Sequence, residues 1–376
     1  MKRKNSILKV ITFVLALTIL LSVPCSSYGQ SASEPKYDLK YFLGVMDYIK
    51  ENYVFEVSDQ ELLEGAIKGL FYNLDEYSEY YTEEELQRLM EGVSGNFVGI
   101  GVYITEKDGY ITVISPMKGS PAEKAGLKPE DKIVFVNGKS IDEISSDEAV
   151  NLMKGEKGTK VNLGIKRGDE KEILYFDIAR DEIKINPVSY KIIDNNIGYI
   201  KIAQFNDHVY ENLVPVLREF DKKNVSKVIV DLRDNPGGYL DEVVKVSRLF
   251  IPSGPIVYIK YKDGTEDTYN SYQTKAKYKL AVLVNEGSAS ASEIFAGAVQ
   301  DRKAGTIVGV TTFGKGVVQD IIPLTNGDGI KLTVAEYLTP NRRHIHNKGI
   351  VPDIVVQNKD TDKDLQLEKA VKVLNK

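Results

Sequence analysis

Two aliphatic runs constrain what this chain can fold into more than any other feature: Val225 to Leu232 and, further on, Ala281-Val282-Leu283-Val284. Neither alternates apolar with polar residues, so each has to be covered on both faces, as parallel strands inside an α/β layer are. Each ends in a turn of small residues. Asp234-Asn235-Pro236-Gly237-Gly238 follows the first, and Gly287-Ser288-Ala289-Ser290-Ala291-Ser292-Glu293 follows the second. A strand pattern over Ile197 to Ala203 and a helical one over His208 to Phe220 come before them, with Asp207 as the expected cap and Pro215 inside the helix. Helical patterns resume over Leu240 to Phe250 and from Ser290 on. In such cores chemistry collects where the carboxyl ends of strands meet helix N-termini, which directs attention to the two small-residue turns.

The chain of 376 residues is long enough for two or three domains, and the pattern changes accordingly. From Lys36 to Gly92 it is helical: Leu39, Phe42, Leu43, Met46 and Ile49 recur at helical spacing, as do Leu62, Leu63, Ala66, Ile67 and Leu70. Thr82-Glu83-Glu84-Glu85 is a capping box that opens another helix. Eight tyrosines fall between Tyr37 and Tyr81, and such rings suit an interface as well as a core, so this region reads as a small packing unit or as a dimerisation arm. From Gly95 to Asp181 the pattern becomes short strands with two brief helices. Ser120-Pro121-Ala122-Glu123 starts one helix and Gly126 ends it, Ser145-Ser146-Asp147-Glu148 starts the other, and Asn137-Gly138 marks a type I′ hairpin. The tail from Asp364 to Leu374 is one more amphipathic helix, suited to packing on a partner.

Met1-Lys-Arg-Lys precedes an apolar run from Ile7 to Val23 and then small residues, the order of a secretory signal, with cleavage expected before Gln30 or, as a second position, at Ser31-Ala32-Ser33. A retained segment acting as a membrane tether is the alternative. Either way the bulk of the protein is expected outside the cytoplasm. The formal charge is −5, and the first 29 residues hold four cations and no acid, so the remainder stands at −9. That balance argues against nucleic acid as a partner. Cys25 is the only cysteine and falls within the signal region, so disulfides, a cysteine nucleophile and thiolate metal sites are excluded from the processed chain.

Ser290 and Lys315 together suggest serine hydrolysis with a lysine as the base. Lys315 lies in Phe313-Gly314-Lys315-Gly316, where the flanking glycines suit a backbone that turns sharply and packs close. A lysine can take a serine's proton only when neutral, so its pKa must fall through burial and cationic neighbours. Ser290 has a plainer role open to it, because Ser290-Ala291-Ser292-Glu293 is itself a capping box. Around it, small residues leave room for a substrate backbone, the helix N-terminus offers N–H groups for an oxyanion, and Pro236-Gly237-Gly238 is ready to present another. Gly309 to Lys315 has P-loop spacing, but Gly316 stands where Ser or Thr should hold magnesium and a strand follows instead of a helix. Histidine catalysis fails on inventory: His208 opens a helix, and His344 and His346 read as an exposed strand without carboxylate company. Asp301, eleven residues past Ser290, lies about 16 Å along a helix axis and is out of reach.

Gly99-Ile100-Gly101, Ser-Pro-Ala-x-x-Ala-Gly-Leu from Ser120 to Leu127, and Asp131-x-Ile-x-x-Val-Asn-Gly resemble a PDZ domain. In that resemblance the N–H groups of Gly99, Ile100 and Gly101 hold the carboxylate of a peptide that adds a strand to the sheet. The chain after the signal is similar throughout to the carboxyl-terminal processing, or tail-specific, proteases. The matching stretches are Asp231 to Gly238, Val284 to Gly297, Thr312 to Gln319, Lys331 to Pro340 and Gly349 to Asp353. The resemblance implies a multidomain α/β protein: a signal over 1–29, a helical region over 35–94, a PDZ β-sandwich-like domain over 95–182, a ClpP/crotonase-like protease core over 183–357 and a terminal helix over 358–376. It implies a serine endopeptidase with Ser290 as nucleophile, Lys315 as general base, Gln319 orienting the lysine, and the N–H groups of Gly237 and Ala291 as oxyanion hole, with no metal or cofactor. The partners it implies are protein or peptide substrates with an exposed apolar C-terminus; the tyrosine-rich arm and the amphipathic tail add the expectation of a homodimer through the terminal helices. Gln319 reaches Lys315 only if the chain bends, because four extended residues span about 13 Å. Asp75-Glu76-Tyr77-Ser78 departs from the family, which has proline after the aspartate; the departure is expected to bear on the helical arm and not on the chemistry. A secreted PDZ-type binding protein with an inert core is the rival reading.

Overall fold

A computed structural model of the chain describes residues 36–358 and 363–376, apart from 108, 169, 171 and 195. The signal segment lies outside the described residues. Contacts divide the chain at Leu70 into two units. In the first, the helix Leu39–Asn52 is capped by Asp38, whose carboxylate accepts the Tyr41 N–H at 2.7 Å, and Lys50 pairs with Asp59 at the start of the next helix, Asp59–Phe71. Helical spacing is present but burial is not: Met46 is buried, while Leu39, Tyr41, Leu43, Tyr48, Leu63, Ile67 and Leu70 are exposed.

The second unit is built on a six-stranded sheet with the order Val188–Ile193, Ile197–Ile202, Lys227–Asp231, Lys279–Val284, Gly305–Gly309, Ile354–Val355. The first pair is antiparallel and all later pairs are parallel. The two aliphatic runs are its central strands, with Val228 to Leu232 and Leu280 to Val284 buried as their composition requires. On one face lie the helices Val209–Lys222, Leu240–Ser247 and Ala291–Asp301. The other face packs Ile197, Ile229, Ala281, Leu283 and Val308 against Ala370 and Leu374 of the terminal helix Leu365–Leu374. His208, not Asp207, stands at the N-cap of Val209–Lys222, and Pro215 does sit inside that helix.

A second, five-stranded sheet covers the helical layer. Gly329–Leu338 is its spine, pairing with Glu79–Tyr81, Val317–Pro323 and Gly254–Tyr261. The helix Ala291–Asp301 is therefore enclosed, with every residue from Ala291 to Val299 buried. Only small residues allow so close a fit: a Cβ on Gly297 would lie 2.9 Å from the Thr339 methyl. Ahead of the core, the sheet Val102–Lys107, Tyr110–Pro116, Lys132–Val136, Lys160–Lys166, Leu174–Ala179 encloses its own core of Ile111, Val113, Ile133, Val161, Leu163 and Ile165. Its caps are the expected ones: Ser120 and Ser145 cap their helices and Gly126 closes the first in the left-handed region.

Candidate active site

The motif Asp231 to Gly238 divides into a structural and a functional half. Asp231, buried at the end of its strand, pairs with Arg233 at 2.6 Å, and Arg233 reaches Asp364 at 2.8 Å, tying the terminal helix to the sheet. Asn235 is wholly buried and joins the two small-residue turns. Its carbonyl accepts the Ala289 N–H and the Ser292 hydroxyl, each at 3.0 Å, and its side-chain oxygen accepts the Gly237 N–H at 2.9 Å. This puts Gly237, at φ +108°, directly against the serine: a Cβ there would lie 2.8 Å from the Ser290 Cβ and 3.1 Å from the Ala291 nitrogen.

Ser290 itself has φ 52° and ψ −114°, outside the left-handed helical region and costly for any side chain. A serine that merely capped a helix would have extended backbone angles, as Ser120 and Ser145 do at φ −71°. Glu293 reaches back to the Ser290 N–H at 2.9 Å in capping-box fashion, while the Glu293 N–H donates to the Ser290 carbonyl at 2.8 Å. The Ala291 N–H has no hydrogen-bond partner among the described residues. Of the two expected oxyanion donors, Ala291 is thus free, while Gly237 is engaged by Asn235.

Two buried side chains bring Lys315 to Ser290. Glu293, with no exposed surface, accepts four hydrogen bonds: from the Ser290 and Lys315 N–H groups on one oxygen, and from the Gly314 N–H and Thr312 hydroxyl on the other. Burial pushes its pKa up, against the pull of those donors. The Tyr337 hydroxyl donates to both the Ser290 and the Lys315 carbonyls. Glycine is required on both sides of Lys315. A Cβ on Gly316 would stand 2.4 Å from the His346 nitrogen, and one on Gly314, at φ +95°, 3.1 Å from two backbone nitrogens. Burial, with Lys331 as a like charge, lowers the Lys315 pKa. Its amine rests 4.7 Å from the centroid of the Tyr77 ring.

Gln319 stands at a bulge in its strand, and its amide donates to the Thr333 hydroxyl at 3.1 Å. Among the described residues neither Gln319 nor the Ser290 hydroxyl is hydrogen-bonded to the Lys315 amine. The backbones of Ser290 and Lys315 are held together by Glu293, while the three side chains are not hydrogen-bonded to one another among the described residues. Gly99, Ile100 and Gly101 line an apolar groove of about 400 Å³ together with Phe97, Val150 and Met153. Arg88 and Glu91 of the helix Glu83–Ser94 line it as well.

Two expectations need correction. Asp75 to Ser78 bears on the chemical site after all. The Asp75 carboxylate accepts from Tyr77 and Ser78 and from Thr333, Ser78 is buried, and Tyr77 covers Lys315. A contact spanning the whole core carries no local signal in the sequence. Likewise His346 is half-buried in a turn, not on an exposed strand, with its ring centroid 6.2 Å from that of Tyr77. His344 does stand exposed, 3.6 Å from Glu336, and Asp301 is engaged by Arg343 at 2.5 Å, away from the serine. Glu293 and Tyr337 were within the matching stretches, yet only the fold reveals what they hold.

A strained serine at the N-terminus of a buried helix, tied through Glu293 to a half-buried lysine, fits a serine-hydrolase core, and the separate β-domain with its apolar groove fits an attached module. Family comparisons agree. Residues 196–356 match peptidase family S41, residues 87–166 the PDZ domain, and residues 23–85 the N-terminal domain of the activating protease CtpB. The chain is 40% identical over 351 residues to the carboxy-terminal processing protease CtpA of Bacillus subtilis (strain 168), spanning 92% of this chain and 75% of that one. It is 39% identical over 335 residues to CtpB of the same organism, 87% and 70% of the two chains. Among solved structures, the photosystem II D1 C-terminal processing protease superposes with a TM-score of 0.52 at 29% identity, over 89% of this chain and 91% of that one. The chain belongs to the carboxy-terminal processing serine proteases of peptidase family S41.

Proposed function

We propose that the protein cleaves polypeptides through a Ser290–Lys315 dyad and that its PDZ groove selects them by a free, apolar C-terminus. The observation that carries the dyad is the shared Glu293 carboxylate, which locks the backbones of a strained serine and a half-buried lysine onto one oxygen. Neutral Lys315 takes the Ser290 proton as the hydroxyl oxygen attacks the scissile carbonyl. The tetrahedral oxyanion is held by the Ala291 N–H and by Gly237, whose N–H must be shared with or released by Asn235. The protonated lysine then gives its proton to the leaving amine, and water hydrolyses the acyl-enzyme with the lysine again as base. Gln319 orients the amine once its side chain turns from Thr333.

In the groove, peptide addition to a strand edge and carboxylate capture by the Gly99-Ile100-Gly101 loop account for selection of tails. Tail binding also completes the catalytic geometry in this reading, and it fails if a tail peptide binds without changing cleavage of a second substrate. In this reading the signal-like segment directs the enzyme outside the cytoplasm, either secreted after cleavage or held by a tether. The exposed apolar residues of the N-terminal helices, Leu39, Leu43, Leu63 and Leu70 among them, offer the surface for a homodimer, whereas the terminal helix spends its apolar face on the chain's own sheet.

The direct test is degradation of a flexible protein ending in free Val-Ala-Ala, by wild type, Ser290→Ala and Lys315→Ala. Loss in both variants, each still folded, is expected. Cleavage surviving Lys315→Ala would mean another base. Absence of cleavage by wild type would favour the binding-protein reading.

A further inference from the structure

We infer that Tyr77 is a positioning residue for the general base: its ring closes the amine of Lys315 off from water. The inference rests on the reading of Lys315 as that base. The ring is delivered by residues 75–81, which reach the far sheet from the N-terminal side of the chain. Glu79–Tyr81 pairs with Gly329–Leu338, the Thr333 N–H donates to the Ser78 hydroxyl at 3.0 Å, and the Asp75 carboxylate accepts the Tyr77 N–H at 2.9 Å and the Thr333 hydroxyl at 3.1 Å. Held at both ends in this way, Tyr77 stands between the Lys315 amine, 4.7 Å from its centroid, and the His346 ring on another side.

A ring over an ammonium acts in two opposed directions. The cation–π attraction favours the charged amine by about 0.5–2 kcal/mol, at most about 1.5 pKa units. Exclusion of water disfavours it by up to about 3–5 units at full burial. Lys315 is half-buried and feels only part of that range, yet desolvation is the foremost influence on it and its pKa is lowered. The charged groups facing the amine from the packed elements are Lys331 from Gly329–Leu338, Asp75 and Glu76 from the strap, and Glu293 from the buried helix, with His346 behind the ring. The single cation opposes the three carboxylates, so the charges alone would not leave the lysine a ready base, and the apolar face of Tyr77 is needed. The phenol itself is no acid or base here, since burial and Glu76 push it up to about 12.

The test compares Tyr77→Ala and Tyr77→Phe with wild type in two ways: the pH dependence of kcat/KM, and direct NMR titration of the Lys315 side chain in the full chain. Tyr77→Ala should move the acid limb and the lysine titration to higher pH by on the order of one unit, a loss of roughly tenfold in kcat/KM at neutral pH recovered at higher pH. Tyr77→Phe should leave both near wild type. An acid limb and titration that stay in place in Tyr77→Ala, or move to lower pH, would overturn the inference, even if activity fell. Should Tyr77→Ala not fold, Tyr77→Gln supplies the same comparison. Lys315→Ala is carried alongside: activity surviving there sinks the dyad, while the NMR titration still decides what Tyr77 does.

Discussion

Glu293 accepts four hydrogen bonds with a side chain that has no exposed surface, so it cannot be replaced by its own amide. Glu293→Gln turns one acceptor into a donor facing N–H groups, leaving buried donors unpaired at about 1–3 kcal/mol each. The expected result is a fall in kcat of about a hundredfold or more with a lower midpoint in urea, read by single-turnover kinetics and denaturation of the same sample. Lys315 makes a prediction of opposite sign for stability. Burial lowers its pKa from the ordinary 10.5, so between the folded-state value and 10.5 the unfolded chain binds more protons and stability rises with pH. The cost is complete below the folded-state pKa and vanishes above the unfolded one. Lys315→Met should therefore raise Tm relative to wild type at pH 6, with the gain shrinking towards pH 10.5, while abolishing cleavage.

At the scale of elements, the buried helix Ala291–Asp301 is the part that admits no change of girth. Gly297→Val would press against Thr339 and Ile350, where a Cβ alone already lies 2.9 Å from one and 3.2 Å from the other. Overpacking of this kind costs about 1–3 kcal/mol and displaces the helix that carries Ser290. Denaturant unfolding should show the loss, and kcat should drop with it. The loop Asn235–Gly238 is equally tight. Gly237→Ala places a methyl 2.8 Å from the Ser290 Cβ in a backbone region hostile to L-residues, and it is expected to silence the enzyme with KM little changed.

For the molecule as a whole, the testable link runs from groove to serine. A substrate whose C-terminal carboxylate is amidated should lose at least about tenfold in kcat/KM against the free acid, because charge-assisted capture by loop N–H groups is lost. The same pair of peptides should be cleaved alike by a Gly101→Val protein, in which a Cβ would fall 2.5 Å from the Ser120 Cβ and, at φ +72°, distort the loop.

Local chemistry made much of this legible in the sequence. Uninterrupted apolar strands demanded covered faces, Ser120-Pro121 and Gly126 announced a short helix, and glycines about Lys315 foretold a close-packed turn that the loop His346–Gly349 indeed meets. These readings succeed because burial period, capping and steric bulk act over a few residues. What the tertiary structure alone decided lies between residues far apart in the chain. Ser290 could have been a simple cap until its φ of 52° and the shared carboxylate of Glu293 set it against Lys315. Tyr77 could not be placed at all, since no local rule brings a tyrosine of the N-terminal arm across the spine strand onto a lysine 238 positions later. Hydrogen bonds and desolvation depend on which surfaces meet, and that is settled only when the sheets have closed around the helix.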